Sequence, residues 1–385
     1  MAYMTATERL EAAIRIGKPD RVPVVPIYDF FSSRYGGITQ REMFFDIKKA
    51  DLALEKTISD LGPIDGQHLS YAGIGRIMEI IFPQPPIMPG VNGVPEDAQF
   101  QFVEKSMIGR EDYARLKDRN SILWLLDTLK IRHPQLRNPI GLAKAIATIG
   151  IDTLKMRRSR MGWLKKGVET TVGYNIPFTP LEWISICLRS FNDFVLDLFR
   201  YPDEVKAAAK ALMMPMKMQG LLMVKLSGLK RVFMGGARTS ASCISPKQFE
   251  EFALPEWQEM AEYFVGKGIT PFLHLDSDWT AFYPYLKSLP VRKCVLNLDG
   301  TSDIFKAKEI LGDHFCIMGD VPATMLKLGE PDEVDEYCRR LIKEIGADGG
   351  FILSSGCTLP IDAKPENVKV MLASVHRYGK YPIHA

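Results

Sequence analysis

The stretch Pro271–Trp279 (PFLHLDSDW) places His274, Asp276 and Asp278 at alternate positions. A strand is pleated with period two, so residues two apart project from one face. An imidazole beside a carboxylate at a strand end can bind a metal or move a proton. The three residues before them, Pro271, Phe272 and Leu273, carry no charge and read as buried strand. A second apolar strand ends in chemistry at Phe351–Cys357 (FILSSGC), which adds a thiol. His274, Asp276 and Cys357 together offer nitrogen, oxygen and sulfur, the donors zinc accepts. The same spacing also fits a hydrogen-bonded His–Asp pair with an inert buried thiol.

The elements that must position these residues read as a parallel α/β fold. From residue 231 onward, strands alternate with amphipathic helices. The strands are Arg231–Gly236, Thr270–Asp276, Lys293–Asp299, Phe315–Asp320 and Phe351–Ser355. The helices are Ser245–Gly266, Ala281–Leu289, Asp303–Leu311, Pro331–Ile345 and Pro365–Tyr378. Strands and helices at this spacing are βα units, and their chemistry gathers at the strands' carboxyl ends, as on the rim of a (β/α)8 barrel. Upstream, Thr5–Glu8 reads as a capping box for a helix that Gly17 and Pro19 end. A buried strand, Arg21–Ile27, runs into the aromatic cluster Tyr28, Phe30, Phe31 and Tyr35, which suits either core packing or a ring-shaped ligand. Helical signals follow over Gln40–Leu61, Glu111–Ile131, Leu181–Phe199 and Asp203–Val224, with a weak strand at Asp65–Leu69. The Pro- and Gly-rich run Phe82–Pro95 must be a loop. No boundary or short repeat interrupts this rhythm, so one domain over residues 1–385 is expected.

Composition narrows the class. Of the 385 residues, 46% are hydrophobic and 25% charged, as in an ordinary globular protein, and the formal net charge of +3 gives nucleic acid no footprint. The basic run Lys155, Arg157, Arg158, Arg160, Lys165 and Lys166 is a solvated face or, alternatively, a border of the rim that meets an acidic partner. Six scattered cysteines with no CxxC pair suit a reducing compartment. MAYMTATERL has no apolar signal core and no run reaches membrane-span length, so a cytoplasmic, membrane-free protein is expected. No P-loop, GxGxxG or GxSxG is present, which argues against nucleotide-dependent and serine-hydrolase chemistry.

The runs GDHFCIMGDVPATMLKLGEPDEV (312–334) and FILSSGCTLPIDAKPENVKVM (351–371) resemble the uroporphyrinogen decarboxylase superfamily. ISPKQFEEFALPEW (244–257) and RIGKPDRVPVVPI (15–27) agree with it. The resemblance covers nearly the whole chain and implies a single (β/α)8 barrel with an N-terminal helical extension. The superfamily's decarboxylases carry an Arg-rich segment after the first strand; here that place reads YDFFSSRYGG (28–37), with Arg34 alone. A multiply anionic tetrapyrrole wants several guanidiniums. The superfamily's other branch transfers methyl groups to or from a corrinoid on a separate protein. Its coenzyme M enzymes bind zinc through a His-x-Cys strand end and a later Gly-Cys. His274 and Cys357 match the first and last of these ligands, and Asp276 stands where the middle Cys would be. A carboxylate in place of a thiolate makes a harder site. The resemblance therefore implies a methyltransferase that removes methyl groups from methoxylated aromatics. The chain has no DxHxxG corrinoid-ligand motif, so the corrinoid would arrive on a partner protein. In that reading zinc is held by His274, Asp276 and Cys357, with Asp299 or Asp320 as candidate acids; if the metal site is lost, His274 hydrogen-bonded to Asp276 is the acid. Tyr28, Phe30, Phe31 and Tyr35 would meet the aryl ring. A thiol methyltransferase, a decarboxylase and a non-catalytic tetrapyrrole-binding barrel are the alternatives.

Overall fold

The computed structural model describes residues 3–68, 70–118 and 121–383. Met1, Ala2, the last residue of the expected strand Asp65–Leu69, and residues 119 and 120 within the expected helix Glu111–Ile131 lie outside the described residues. The described residues form seven strands: β1 (Gly66–Gln67), β2 (Glu169–Thr170), β3 (Arg231–Gly236), β4 (Thr270–Leu275), β5 (Val295–Leu298), β6 (Cys316–Val321) and β7 (Phe351–Ser355). β3 to β7 form one parallel sheet in sequence order, and β1 pairs with β2 in parallel.

The ring closes through individual hydrogen bonds. The extended segment at residues 22–27 is an eighth stave. Its Val25 N–H donates to Leu353 O and Leu353 N–H donates back to Pro23 O, both at 2.9 Å. On its other side Asp65 N–H donates to Val24 O at 2.9 Å. Pro23 and Pro26 have no N–H, so this stave meets the barrel by isolated bridges instead of a continuous ladder. Between β2 and β3 the Phe233 N–H donates to Asn175 O at 2.6 Å, and the Asn175 amide donates to Leu229 O and Arg231 O. The result is a (β/α)8 barrel.

Side chains alternate along each stave. Phe233, Phe272, Val295, Cys316, Met318 and Ile352 share the inner cluster, while Val232, Leu273, Leu275, Leu296 and Ile317 pack outward against the helices. The helix Ala6–Ile14 opens with the expected capping box between Thr5 and Glu8. Its Leu10, Ala13 and Ile14 join the inner cluster and so close the amino-terminal end of the barrel. Buried ions fasten this plug: Arg9 meets Asp20 at 2.6 Å and Asp65 at 2.5 Å, and Arg21 meets Asp65 at 2.6 Å.

Several expected elements differ in detail. The aromatic cluster after the first stave lies on a helix, Asp29–Gly36, ended by Gly37 at φ +82°. The expected helix Gln40–Leu61 is two helices, divided where Asp46 caps the second by accepting from Lys48 N–H and Lys49 N–H. Leu181–Phe199 is broken after Leu188, and Ser190 caps a new helix, Phe191–Arg200. The basic run spans the carboxyl-terminal part of the 27-residue helix Pro139–Lys165 and its cap, Lys166. That helix leads into β2, so its basic end lies at the amino-terminal side of the strands and does not border the rim. Among the described residues, no helix is long and apolar enough to cross a membrane.

Candidate metal centre at the carboxyl rim

β4 presents Phe272 and His274 to the barrel interior, two residues apart, with Leu273 and Leu275 outside. The pleat continues one step beyond the strand, because Asp276 N–H still donates to Gly236 O at 2.8 Å. Ser277 then adopts φ +70°, which ends the alternation. Asp278 is therefore diverted from the face shared by His274 and Asp276, and its carboxylate accepts from Thr280 N–H at 2.8 Å. Cys357 follows β7 by two residues. Gly356 between them admits no side chain, since a Cβ there would lie 2.1 Å from Asp299 O.

The ligand atoms of His274, Asp276 and Cys357 all lie within 4.8 Å of one another. His274 Nε2 is 3.2 Å from Asp276 Oδ1 and 3.8 Å from Cys357 Sγ. His274 is 4% exposed, whereas the Asp276 side chain keeps 41% of its surface open to the mouth. The other ring nitrogen settles which way the imidazole works. Its partner is Oδ1 of the fully buried Asn297, whose own amide donates to Met318 O at 3.2 Å. With the amide so engaged, Oδ1 accepts from His274 Nδ1–H. Nε2 is then the atom turned toward the carboxylate and the thiol, an arrangement that orients a metal-binding histidine. Burial draws the His274 pKa down. The Asp276 charge and hydrogen bond, with Cys357, outweigh it and hold the imidazole well above its ordinary value. Asp276 is held below the usual carboxylate range because His274 and Cys357 overcome its burial. A metal entering this cluster would displace the proton shared by His274 and Asp276.

The remaining expected residues have other partners. Asp299 accepts from Ser277 N–H and Thr301 N–H, each at 2.8 Å, and so ties the β4 and β5 loops together. Asp320 is 2% exposed and accepts from Tyr337 Oη–H at 2.8 Å; burial pushes its carboxyl up to about 7. Tyr28, Phe31 and Tyr35 stack along one face of their helix, and Tyr35 Oη donates to Asp60 at the surface. Phe30 points elsewhere and stacks on Tyr71 with centroids 5.4 Å apart.

Three residues near the cluster were not singled out from sequence. Asn297 is one. Tyr71 is half-buried against Phe30, Phe44 and Phe100, close enough to feel the charges of Cys357, Asp29 and Asp276. His68 lies inside the barrel with its ring centroid 6.2 Å from that of His274. Its Nδ1 is 2.6 Å from Thr171 Oγ1, its buried Nε2 has no partner, and burial holds its pKa well below the ordinary value.

Comparison with known proteins agrees with this architecture. The methyltransferase from Methanosarcina mazei superposes with a TM-score of 0.70 at 16% identity, over 97% of this chain and 99% of that one, which shows the shared fold. Among curated proteins, uroporphyrinogen decarboxylase from Pseudoalteromonas atlantica is 24% identical over 148 residues, 37% of this chain and 40% of the relative. The decarboxylase from Chlorobium phaeobacteroides is 29% identical over 140 residues, 35% of this chain and 39% of the relative. The chain thus spans about 40% of the length of these curated relatives. The family described as Uroporphyrinogen decarboxylase (URO-D) matches residues 163–378, more than half of the sequence and the part that carries β2 to β7. The chain belongs to the uroporphyrinogen decarboxylase family.

Proposed function

We propose that this protein is a methyltransferase that moves a methyl group from a methoxylated aromatic compound to the Co(I) corrinoid of a separate corrinoid protein. The observation that carries the reading is the convergence of His274 Nε2, Asp276 Oδ1 and Cys357 Sγ at the mouth of the barrel. The donor set fits zinc: an imidazole oriented by Asn297, a thiol and a carboxylate are three protein ligands, the number that leaves one position open. When bound, zinc supplies Lewis acidity beside the leaving oxygen. The methyl carbon exchanges its bond to the aryl oxygen for a bond to cobalt, and the bonding pair stays on the oxygen. Asn297 keeps the His274 lone pair turned outward. Asp276, half-exposed, faces the incoming ether. Tyr71, backed by Phe30, offers an aromatic face to the ring. The named methyltransferase sharing this fold supports the same reading.

The names of the curated relatives favour decarboxylation as a second reading. Against it, Arg34, after the first stave, pairs with Asp97 at 3.8 Å, and Arg238, after β3, pairs with Glu104 at 3.2 Å. One experiment separates the two. The protein is incubated with a Co(I) corrinoid protein and a methoxylated benzoate, and methyl–cobalt formation is followed by absorbance. A parallel incubation contains uroporphyrinogen. Carbon dioxide released from uroporphyrinogen, with no methyl–cobalt formed, would overturn the proposal.

A further inference from the structure

A cavity of about 690 Å³ lies outside the barrel wall, between β1–β2 and the helices Pro139–Lys165 and Pro202–Ser227. It does not touch His274, Asp276 or Cys357. Its size is that of a site for a drug-sized molecule. Leu54, Ile77, Met156, Met216 and Leu222 give it an apolar lining. At the end near the carboxyl rim stands Asp29, whose carboxylate already accepts from Ser70, Gln67 and the Tyr71 N–H. The other end holds Arg157 and Arg160.

Those two guanidiniums are the members of the basic run that line the cavity. Lys155 pairs with Asp152 at 3.3 Å and Lys166 with Glu55 at 2.7 Å. Among the described residues, Arg157 and Arg160 have no carboxylate within ion-pair distance. Arg160 donates from Nη2 to Ser227 O at 3.2 Å, but its buried Nε has no partner. The nearby Glu169 is occupied by Thr7 at 3.0 Å and by Arg231 at 4.0 Å. Burial lowers the Arg160 pKa, as expected for a guanidinium short of hydrogen-bond acceptors. A half-buried cation with an orphaned donor is costly unless something anionic completes it.

We propose that this cavity binds an amphiphilic carboxylate, with its apolar body among the methionines and leucines and its carboxylate between Arg157 and Arg160. A carboxylate can take two parallel N–H bonds from one guanidinium, which would satisfy Arg160 Nε. The flexible, polarisable thioethers of Met156 and Met216 suit a chain of irregular shape. The site is independent of the rim chemistry.

The test uses the full-length protein and dodecanoate, below its micelle concentration, with dodecanol as the uncharged control. Trp163 and Trp183 line the cavity, so their fluorescence reports binding. Saturable dodecanoate binding is expected, at least tenfold tighter than dodecanol. Arg160→Gln should weaken dodecanoate at least tenfold and leave dodecanol unchanged. Leu222→Trp, which sets a bulky ring at the cavity wall, should weaken both ligands without lowering Tm. Arg157→Gln stands in if Arg160→Gln fails to fold. Each variant should keep the wild-type zinc content, which separates this result from any failure at the rim. Equal affinity for dodecanoate and dodecanol, or wild-type affinity in Arg160→Gln or Leu222→Trp, would overturn the proposal.

Discussion

Replacing Asn297 by leucine tests how the barrel prepares His274 for a metal. Both side chains are buried, at 0% and 4% exposure, so a lost partner is not replaced by bulk water. Without a metal, the variant's imidazole can release its Nδ1 proton and keep Nε2–H on Asp276, 3.2 Å away. With a metal, Nε2 must present a lone pair, and Nδ1–H is left with no acceptor. The unpaired-donor penalty therefore falls chiefly on the metal-bound state, since the metal-free imidazole can shed that proton. A buried donor left unpaired costs about 1–3 kcal/mol. At about 1.4 kcal/mol per factor of ten, that is roughly a 5- to 150-fold loss of affinity, in line with the 10- to 100-fold typical of partners that orient metal ligands. Asn297→Asp keeps the acceptor and should bind zinc at least as tightly as the wild type. Both variants lose the donor to Met318 O, in the bound and free states alike, so that loss appears in Tm and not in affinity. The assay is zinc competition against a chromophoric chelator. Zinc affinity within twofold of wild type in Asn297→Leu, while His274→Ala binds none, would refute the reasoning.

Three further outcomes are expected. Cys357→Ala should lose zinc and methyl transfer together; retention of most activity, unaffected by chelators and sensitive instead to His274→Ala, would mean that the His274–Asp276 pair acts as an acid without a metal. Gly356→Ala should move Cys357 away from the cluster, because its Cβ would lie 2.1 Å from Asp299 O; zinc affinity should fall at least tenfold, and unchanged affinity counts against the role given to this close approach. Asp320 has its carboxyl raised to about 7, so the native state holds a proton that the unfolded chain releases near the ordinary carboxyl value. Its contribution therefore worsens as pH rises from about 4 to about 7, by at most about 4 kcal/mol at 1.4 kcal/mol per pH unit, and stays flat above that. The Tm of Asp320→Asn relative to wild type should climb between pH 5 and pH 8, and a constant difference would contradict the assignment.

The carboxyl-terminal two-thirds of the barrel was legible because its strands are short apolar runs set between strongly amphipathic helices. β3 and β7 begin and end where the pattern placed them. The pairing of His274 with Asp276 was also legible, since it needs only the period of a pleat. Asp278 was not, because a single left-handed residue, Ser277, breaks that period. The first staves were faint for physical reasons. Prolines at 23 and 26 remove ladder donors, and β1 and β2 are two residues long, too short for a periodic signal. The aromatics after residue 27 suited core packing or a ring-shaped ligand alike, and helical spacing stacks Tyr28, Phe31 and Tyr35 on one another. Asn297 did leave a trace, as the lone amide in the apolar run KCVLNLD. The trace becomes meaningful only when β5 is placed beside β4, with Asn297 opposite His274.

The stave at residues 22–27 sets a timetable for the chain's synthesis. Its side-chain bonds to β7, Ile27 N–H to Ser355 Oγ and Ser354 Oγ–H to Val25 O, join residues 328 and 329 positions apart. A ribosome adding roughly 5–20 residues per second leaves that segment waiting roughly 15–65 s for its partner. Through that interval Val22, Val24, Val25 and Ile27 have β1 on one side, through the Asp65 N–H to Val24 O bond, and nothing on the other. β3 to β7 pair in order as they emerge and need no such delay. This stave therefore waits longest for its second neighbour, and its open β7-facing side is the one on which a ribosome-bound chaperone would act longest.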